Sequence, residues 1–466
     1  MLRKILAILI CKILRFAGKI FRRGSSFPGC IALKIDPNIL EKIKMPEKIL
    51  AVTGSNGKTS TVEIVAEVLK HNKKKIAFNR EGSNQIQGIA TFVLEDCGFF
   101  GRTRSDIFLL ELDERFAKQT FKFIKPTHLV ILNLYRDQLT RNGNPEVVFR
   151  SLQDALTDDI TLALNANDPL LFCFSKKFKS KIIWFGFKEF AVNNQINAYD
   201  DGKFCSNCKS QLSYETRFFN HVGIFNCKKC KAQTPKNIEF SAKFVSKLNN
   251  EFRNKDQILI NNKYILKFPF EFSPESFSYN LLAAFVALNL LDIRSEKISE
   301  CLEEFKSKSM RVSEFYLQKK SWILLMCKHE NSVSYDQSLK VVVNYQGFCA
   351  VLIIVDAISR KYFTSDTSWL YDIDFYILNI RHVTQIVLSG KYANDLAACL
   401  LLMKVSPEKI FVYTSILDSI KFIAKNTEDK IFVMTCFSDK NKFMKNFSTV
   451  KKHLTKKQKN KKTRKI

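Results

Sequence analysis

The residues best suited to chemistry lie in the segment TGSNGKTS, which follows the apolar run ILAV and opens an amphipathic segment. Gly54 and Gly57 permit a tight turn in which backbone N–H groups converge, and a helix that begins after such a turn favours an anion at its N-terminus. Lys58 supplies a positive charge for the outer phosphates of a nucleotide, and the Thr59 hydroxyl is placed to coordinate Mg²⁺. The segment therefore predicts a triphosphate site, and the alternative is a glycine turn that carries a lysine by chance. The predicted nucleotide-binding residues of this loop are Gly54, Asn56, Gly57, Lys58, Thr59 and Ser60.

A second set of chemically capable residues is formed by two Cys-x-x-Cys pairs. Cys205 and Cys208 precede Cys227 and Cys230 by a spacer of 18 residues. Pairs so spaced form two knuckles whose thiolates can close tetrahedrally on Zn²⁺. Because protein ligands fill all four positions, the predicted zinc is structural. Paired disulfides are the alternative, which the absence of a secretion signal disfavours, and the other nine cysteines are expected to be core thiols.

The elements that must position these residues read as two series of short apolar runs that alternate with amphipathic segments. Continuous apolar runs are typical of strands covered on both faces, as in a parallel sheet. The pattern predicts two doubly wound α/β domains that join near residues 305–312, with a polar, cysteine-bearing insert from about 200 to 240. The first series is ILAV (49–52), IFLLEL (107–112), LVILNL (129–134), ITLAL (160–164) and IIWFG (182–186). The second series is VVV (341–343), AVLIIV (350–355), IVLS (386–389), IFVY (410–413) and IFVM (431–434).

The positive charge of the chain is concentrated at its ends. The 466 residues have a formal net charge of +29, but residues 1–23 carry seven Lys or Arg, residues 451–466 carry nine, and neither stretch contains an acidic residue. The remaining body, at +13, is only moderately basic, so a polyanion bound across the whole surface is not required. An apolar fraction of 46% excludes wholesale disorder.

The N-terminal segment MLRKILAILICKILRFAGKIFRR is amphipathic. At about 100° per residue, one arc contains most of the basic residues and the opposite arc contains nearly all of the apolar ones. The longest apolar run, residues 5–11, is far shorter than the roughly 20 residues of a spanning helix. Two interpretations stay open: a helix that lies in the plane of an anionic membrane, and a helix that docks on the protein's own body with a solvated basic face. The basic arc consists of Lys4, Lys12, Arg15, Lys19, Arg22 and Arg23.

The phosphate loop departs from the common P-loop spacing, because Val52 stands where that spacing has glycine. The loop resembles the ATP loop of the Mur ligase superfamily, and four further segments follow in the family's order. They are NREGSN (79–84), LELDE (110–114), LNLYRDQLTRNG (132–143) and LNANDP (164–169). The resemblance implies that the nucleotide is ATP, that Thr59 and Glu111 hold Mg²⁺, and that Asn165 and Asp168 hold the nucleotide base.

Other features resemble one branch of this superfamily, the MurT family. They are the short start before the loop, the segment GSSFPGCIALKIDPNIL (24–40), the cysteine insert and the segment SDTSWLYDIDF (365–375). The resemblance implies an α/β fold with a central P-loop ATPase domain, an inserted zinc ribbon and a C-terminal Rossmann-like domain. The expected divisions are a basic amphipathic segment (1–45), the central domain (46–305), the C-terminal domain (306–448) and a basic disordered tail (449–466).

The same resemblance implies an activity. MurT proteins are synthetase subunits that use ATP to convert the α-carboxylate of D-glutamate in the lipid II stem peptide to D-isoglutamine, through an acyl phosphate that ammonia attacks. Lys58 and Mg²⁺ would offset charge on the transferred phosphoryl group. None of the thirteen cysteines lies in a G-x-C-x-G elbow, so the ammonia is expected from a separate GatD-like glutamine amidotransferase subunit in a heterodimer. Asp366 would contribute to that subunit's site, and its alternative role is a turn cap.

Lipid II is membrane-bound, so the resemblance implies a cytoplasmic protein that is peripheral at the inner face of the membrane. Two rival functions stay open. A folylpolyglutamate synthase-like ligase would leave the zinc ribbon and SDTSW unexplained. A degenerate ligase could act as a scaffold on membrane or nucleic acid, although the retained Lys58, Thr59 and Glu111 argue against it and a nucleic-acid partner is not expected. Two segments differ from the family pattern: ENSVS (330–334), which keeps Asn331, and VDAISRKYFT (355–364).

Overall fold

The computed structural model describes ten stretches of the chain, and the structural statements below concern these residues. The described stretches are 1–20, 26–79, 85–136, 145–189, 200–245, 257–267, 276–303, 312–358, 365–425 and 430–463. Most of NREGSN, the second half of LNLYRDQLTRNG, nearly all of the expected domain junction and most of VDAISRKYFT lie outside the described residues.

Within the described stretches the chain forms strands and helices in alternation over most of its length. The strands are β1 (Lys48–Thr53), β2 (Ile76–Phe78), β3 (Ile107–Glu111), β4 (His128–Ile131), β5 (Thr161–Asn165), β6 (Ile182–Glu189), β7 (Ser213–Phe219), β8 (Val222–Asn226), β9 (Phe240–Val245), β10 (Gln257–Ile260), β11 (Tyr264–Lys267), β12 (Val312–Leu317), β13 (Lys320–Cys327), β14 (Cys349–Ile354), β15 (Val383–Ser389), β16 (Ile410–Tyr413) and β17 (Lys430–Cys436). The helices are α1 (Leu2–Ile20), α2 (Phe27–Ile35), α3 (Lys58–His71), α4 (Ile86–Asp96), α5 (Ala117–Phe121), α6 (Pro145–Gln153), α7 (Pro169–Ser175), α8 (Phe277–Leu290), α9 (Ser295–Glu303), α10 (Ser332–Val343), α11 (Ala393–Leu402), α12 (Ile416–Lys425) and α13 (Phe437–Thr463).

The central sheet has the strand order β11-β10-β9-β6-β5-β4-β1-β3-β2. Its strands from β6 to β2 run parallel, and β1 is buried along nearly its whole length. Apolar side chains cover both faces of the sheet in two separate clusters. This architecture explains the continuous apolar runs of the sequence, since each strand is packed between layers of helices, and it confirms the predicted doubly wound fold.

The parallel register brings several candidate residues to one edge of the central sheet. Val52 in β1 pairs with Glu111 in β3, and Thr53 pairs with Ile131 in β4. The chain segments that follow these three strands therefore emerge side by side. Open parallel sheets bind ligands at this carboxyl edge, and the phosphate loop is one of these segments.

An insert between β6 and β9 carries the four cysteines. Strands β7 and β8 form a separate antiparallel hairpin. A small cluster that includes Cys205, Cys227 and Phe225 is the apolar interior of this insert, and it packs against Phe172 of α7.

A second sheet has the order β12-β13-β17-β14-β15-β16. All of its neighbouring strands are parallel except β12, which pairs antiparallel with β13 at the edge. Apolar clusters cover both of its faces. The second predicted α/β domain is therefore confirmed.

Two sequence predictions are wrong in this part of the chain. The run VVV (341–343) does not form a strand but ends α10, because Asn331 caps that helix and Val342 packs into the core as one turn of its buried face. The tail expected to be disordered from residue 449 is helical to Thr463. Helix α13 begins as a packed helix with Phe443 and Phe447 buried, and Lys and Gln, which favour helix, continue it.

The N-terminal helix α1 packs on the body of the protein, against α2 and α4. Ala7, Ile8 and Cys11 are its buried residues. None of the described helices combines the length and the apolar character that crossing a membrane requires.

Candidate active site

The phosphate loop connects β1 to α3 at the carboxyl edge of the central sheet. Its two glycines have left-handed backbone angles, with φ +137° at Gly54 and +94° at Gly57. A β-carbon at Gly57 would lie 2.2 Å from the side-chain oxygen of Asn280 in α8, so a larger residue would require a shift of its surroundings. The turn lets α3 begin at Lys58, and the N-terminus of a helix favours an anion.

The Lys58 ammonium is held in the loop by a buried carboxylate that the sequence analysis missed. Lys58 Nζ lies 2.9 Å from Glu114 Oε1 and also donates to the carbonyl of Gly54. The same Glu114 oxygen accepts the N–H of Gly54 at 2.8 Å, and the Glu114 side chain is 3% exposed. Glu114 therefore fixes both the lysine and the start of the loop. The available signal was its place in LELDE, in the same motif as Glu111.

Thr59 and Glu111, the predicted magnesium ligands, are brought together by the fold. The Thr59 hydroxyl donates to Glu111 Oε1 at 3.0 Å. Asn79 fixes the end of β3, since its side chain accepts the N–H of Glu111 at 2.8 Å and donates to the Glu111 carbonyl at 2.9 Å. Two oxygens bound in neighbouring positions of an octahedral Mg²⁺, each at 2.0–2.1 Å, lie about 3 Å apart. The pair therefore fits this ion in chemistry and spacing.

The segment after β4 forms a second wall of the loop. Asn133 Oδ1 accepts the N–H of Asn56 at 2.9 Å. Ser55 exchanges two hydrogen bonds with the Tyr135 backbone, both at 2.9 Å. Ser60, in the first turn of α3, is partly exposed. These contacts therefore brace the loop from one side, at the carboxyl edge of the sheet.

Asn165 and Asp168, the predicted base-binding residues, are bound to the second wall of the loop. Both side chains are fully buried. Asn165 donates to the carbonyl of Leu132 at 3.0 Å. Asp168 accepts the N–H of Leu134 at 2.8 Å and caps the N-terminus of α7. The two residues therefore position this wall, and their contact with the nucleotide base stays a prediction.

The tip of the β7–β8 hairpin reaches this same buried carboxylate. His221, which follows β7, is fully buried, and its Nε2 lies 3.1 Å from Asp168 Oδ2. Burial alone would lower the pKa of His221, but the Asp168 carboxylate outweighs it and raises that pKa above the ordinary value. The His221 ring also packs edge-on against Tyr135, at 5.6 Å between centroids. The cysteine insert is therefore linked to the wall of the phosphate loop.

Residues of the second sheet's domain also touch the phosphate loop. Lys328, just after β13, donates to the carbonyl of Ser55 at 2.8 Å. Asn331 accepts from the side chain of Asn56 at 3.0 Å while it caps α10. The segment ENSVS, which differs from the family pattern, thus retains Asn331, which contacts the loop. Lys328 was missed because no motif marks it.

The four cysteines converge on one point. Their sulfur atoms all lie within 4.8 Å of one another, with 3.5 Å between Cys205 and Cys230 and 3.4 Å between Cys208 and Cys227. Zn–S bonds of about 2.3 Å in a tetrahedron place sulfurs just under 4 Å apart, so the site fits Zn²⁺. All four cysteines are free thiols. The predicted cluster is therefore present, and the disulfide alternative is not seen.

The two knuckles of the cluster have the same backbone design. Each Cys-x-x-Cys is followed by a lysine in the left-handed region, Lys209 with φ 60° and Lys231 with φ 62°. Hydrogen bonds from the Cys230 N–H and the Ser210 hydroxyl lower the pKa of Cys227 to about 6, whereas burial raises the pKa of Cys205 to about 12. The Cys205 thiol must therefore lose its proton when a metal binds.

Asp366 lies on the C-terminal domain and is exposed. Its Oδ1 accepts the N–H of Ser368 at 2.9 Å, and this backbone hydrogen bond holds the pKa of the carboxyl below its usual range. Trp369, three residues after Asp366, is buried against Tyr335 at 5.3 Å between centroids. The turn-capping role is thus present, and it presents an ionised carboxylate at the surface.

Comparisons with known proteins agree with this architecture. A model of the Mur ligase middle domain matches residues 52–228, and a model of the MurT ligase C-terminal region matches residues 329–439. The MurT subunit of a glutamine-hydrolysing lipid II isoglutaminyl synthase from Staphylococcus aureus (strain COL) is 27% identical over 413 residues, which are 87% of this chain and 89% of that protein. The corresponding subunit from Streptococcus pneumoniae (strain ATCC BAA-255 / R6) is 27% identical over 393 residues, covering 83% and 84%.

Over most of its length the chain is therefore similar to MurT subunits. Among solved structures, a pseudomurein peptide ligase type C from Methanothermus fervidus superposes with a TM-score of 0.67 at 19% identity, over 89% of this chain and 81% of that one. That likeness shows a shared fold. The matched middle-domain region contains the phosphate loop, Glu111, Glu114 and three of the four cysteines, and the matched C-terminal region contains Asn331 and Asp366.

Loss of zinc from the four-cysteine site should disturb the phosphate loop, although the two sites are separate. We expect stoichiometric zinc in the purified chain and loss of zinc in Cys208→Ser, with weaker binding of an ATP analogue because the hairpin that carries His221 loses its staple. Elemental analysis and calorimetric titration measure the two quantities. Cys30→Ser, outside the cluster, is the matched control. Full zinc content in Cys208→Ser would contradict the four-cysteine site.

The His221–Asp168 pair should make stability depend on pH. Because the folded-state pKa of His221 is raised, its contribution is fully present below the unfolded-state pKa of roughly 6.5 and is lost as the pH rises through the folded-state value. His221→Gln should therefore lower the free energy of unfolding by about 2 kcal/mol near pH 6 and by less near pH 9. Denaturant titration at both pH values measures this, with His453→Gln at an exposed position as control. A deficit that grows with pH would mean that His221 is buried in its neutral form.

Proposed function

We propose that the chain is the synthetase subunit of a glutamine-dependent lipid II isoglutaminyl synthase. Its reaction is the ATP-dependent amidation of the α-carboxylate of D-glutamate in the lipid II stem peptide, through an acyl phosphate, to give D-isoglutamine. The observation that carries this proposal is the pairing of Thr59 with Glu111 at 3.0 Å beside Lys58, in a chain that is similar to MurT subunits. Relatives named as lipid II isoglutaminyl synthase subunits give the substrate.

The residues of the loop divide the work of phosphoryl transfer. The N–H groups at the start of α3 and the Lys58 ammonium would neutralise the phosphate oxygens of ATP. Glu114 keeps Lys58 aimed along the loop, because it binds the lysine and the Gly54 N–H together. Thr59 and Glu111 would hold Mg²⁺, which offsets charge on the transferred phosphoryl group. The chain's own residues therefore orient and neutralise, and a carboxylate of the substrate is the nucleophile.

The ammonia is proposed to come from a GatD-like glutaminase that forms a heterodimer with this chain. Asp366 supports this, because its carboxylate is exposed and is oriented by the N–H of Ser368, next to the buried Trp369. Such a carboxylate can orient a histidine of a partner site. With a membrane-bound substrate, we place the complex at the inner face of the cell membrane.

Substitution of the magnesium-binding hydroxyl tests the reaction. With a co-purified glutaminase subunit, ATP, glutamine and lipid II, the unaltered chain should produce the small mass decrease that replaces a carboxyl hydroxyl by an amino group. Thr59→Ala should lower the rate by at least about 100-fold, as should Lys58→Ala. Thr59→Ser keeps the hydroxyl and should retain most activity. Thr59 is exposed, so neither change at this position removes core packing.

Two results would contradict the proposal. One is amidation of lipid II by Thr59→Ala at the unaltered rate. The other is ATP turnover that depends on folate and glutamate instead of lipid II, which would identify a folylpolyglutamate synthase-like ligase. The partner assignment is tested separately: Asp366→Asn should lower glutamine-dependent amidation, and ammonium salt should restore it. If ammonium does not restore it, Asp366 acts within this chain.

A further inference from the structure

Three basic residues of α1, next to its buried Ala7, Ile8 and Cys11, bind the body of the protein. Lys4 donates to the carbonyl of Phe100 at 3.0 Å, and Lys12 donates to the carbonyl of Glu95 at 3.1 Å. Arg15 forms an ion pair with the Glu95 side chain at 3.0 Å. Glu95 belongs to the last turn of α4, where unpaired carbonyls and the helix dipole favour cations. Three basic residues of α1 are therefore used to attach the helix.

The opposite side of α1 is apolar and faces solvent. Five large residues spaced by four, three, four and three positions form one stripe along the helix. The stripe consists of Leu2, Leu6, Leu9, Ile13 and Phe16, which are 86%, 48%, 40%, 57% and 70% exposed. The helix thus buries Ala7, Ile8 and Cys11 and leaves its largest apolar residues exposed, an orientation that neither sequence interpretation anticipated.

A phenylalanine loop beside α1 extends the apolar surface. Phe99 and Phe100, between α4 and β3, are 44% and 83% exposed. Lys12 Nζ lies 6.0 Å from the Phe99 ring centre, and Lys4 binds the Phe100 carbonyl, so the loop adjoins the helix. We call the stripe of α1 together with Phe99 and Phe100 the outer apolar face. Contiguous exposed apolar surface of this kind marks a protein or membrane contact.

The charges around the outer apolar face decide between its candidate occupants. Arg3, Lys44, Arg102 and Arg104 are exposed around the helix and the phenylalanine loop, and residues 1–23 contain no acidic residue. A second copy of α1 laid against the first would bring like charges together. An anionic lipid surface would instead pair with these cations and accept the apolar side chains.

We propose that the outer apolar face docks on an anionic phospholipid bilayer. Helix α1 lies in the membrane plane, and the side chains of its stripe, Phe99 and Phe100 insert among the acyl chains. This does not depend on the catalytic assignment, although a lipid-linked substrate would give the docking a purpose. Lys4, Lys12 and Arg15 already bind the protein. Insertion of the apolar side chains therefore supplies most of the binding to the bilayer. Attachment should therefore persist at salt concentrations that screen surface charges.

Vesicle flotation of the full chain tests this surface. The chain should float with vesicles of phosphatidylglycerol and phosphatidylcholine, less with phosphatidylcholine alone, and should retain most binding in about 0.5 M salt. Leu9→Ser combined with Ile13→Ser should weaken binding on the order of tenfold. The matched control is Leu401→Ser with Leu402→Ser, which changes two exposed leucines of α11. Unchanged thermal unfolding of both variants establishes that they fold.

Three outcomes would overturn the proposal. The first is vesicle binding by the Leu9/Ile13 variant equal to that of the unaltered chain. The second is complete release of the unaltered chain by salt, which would assign binding to surface charge such as the basic tail. The third is a dimer in solution that the variant dissociates, without vesicle binding by either, which would assign the face to a second copy. A failure of lipid II amidation alone would leave the membrane result untouched.

Discussion

A single buried carboxylate, Asp168, holds the nucleotide edge of the central sheet in place. It caps α7, fixes the backbone of Leu134 at 2.8 Å and faces the imidazole of His221 at 3.1 Å. A charge in so dry a place persists only when it is paired and hydrogen-bonded. The three partners come from a helix, a loop and the inserted hairpin, so the folding of each part constrains the others. This makes the cysteine insert a structural support of the phosphate loop.

The ion pair of Lys58 with Glu114 applies the same principle inside the loop. A lysine that must meet phosphates has to be both charged and correctly aimed, and its side chain is only 14% exposed. Glu114 places an opposite charge 2.9 Å from the ammonium and also binds the Gly54 N–H that starts the turn. As a consequence, an incoming anion must compete with the Glu114 carboxylate for the Lys58 ammonium. The loop therefore favours a highly charged ligand accompanied by a cation, which is what ATP with Mg²⁺ provides.

How much of the site could be predicted from the sequence depended on whether a known motif assigned a role to the residue. Thr59 and Glu111 were predicted as a pair from the resemblance to Mur ligases, and the sheet explains why they meet, since β1 and β3 are parallel neighbours. Glu114 and His221 were missed because no motif gave them a role and only tertiary packing identifies their partners. The run VVV misled because β-branched residues are typical of strands, whereas the cap at Asn331 and the packing of Val342 decide for helix.

Helix α1 shows a further limit of sequence patterns. Its periodicity correctly separates a basic arc from an apolar one, but the pattern alone does not say which arc faces the protein. That is decided by what the neighbouring surface offers: α4 provides apolar side chains for Ala7, Ile8 and Cys11, and Glu95 at its end binds Lys12 and Arg15.

The two domains meet at the phosphate loop itself, which has a mechanical consequence. Lys328 and Asn331 bind Ser55 and Asn56, and a third link joins Asp372 of the C-terminal domain to Arg136, at the end of the loop's second wall, at 2.7 Å. Asp372 lies in the short helix that follows Asp366 and contains Trp369. A partner bound at Asp366 would therefore lie next to the short helix whose Asp372 forms the ion pair with Arg136. If the C-terminal domain moves, these three contacts must change together. The phosphate loop is therefore affected by such a movement.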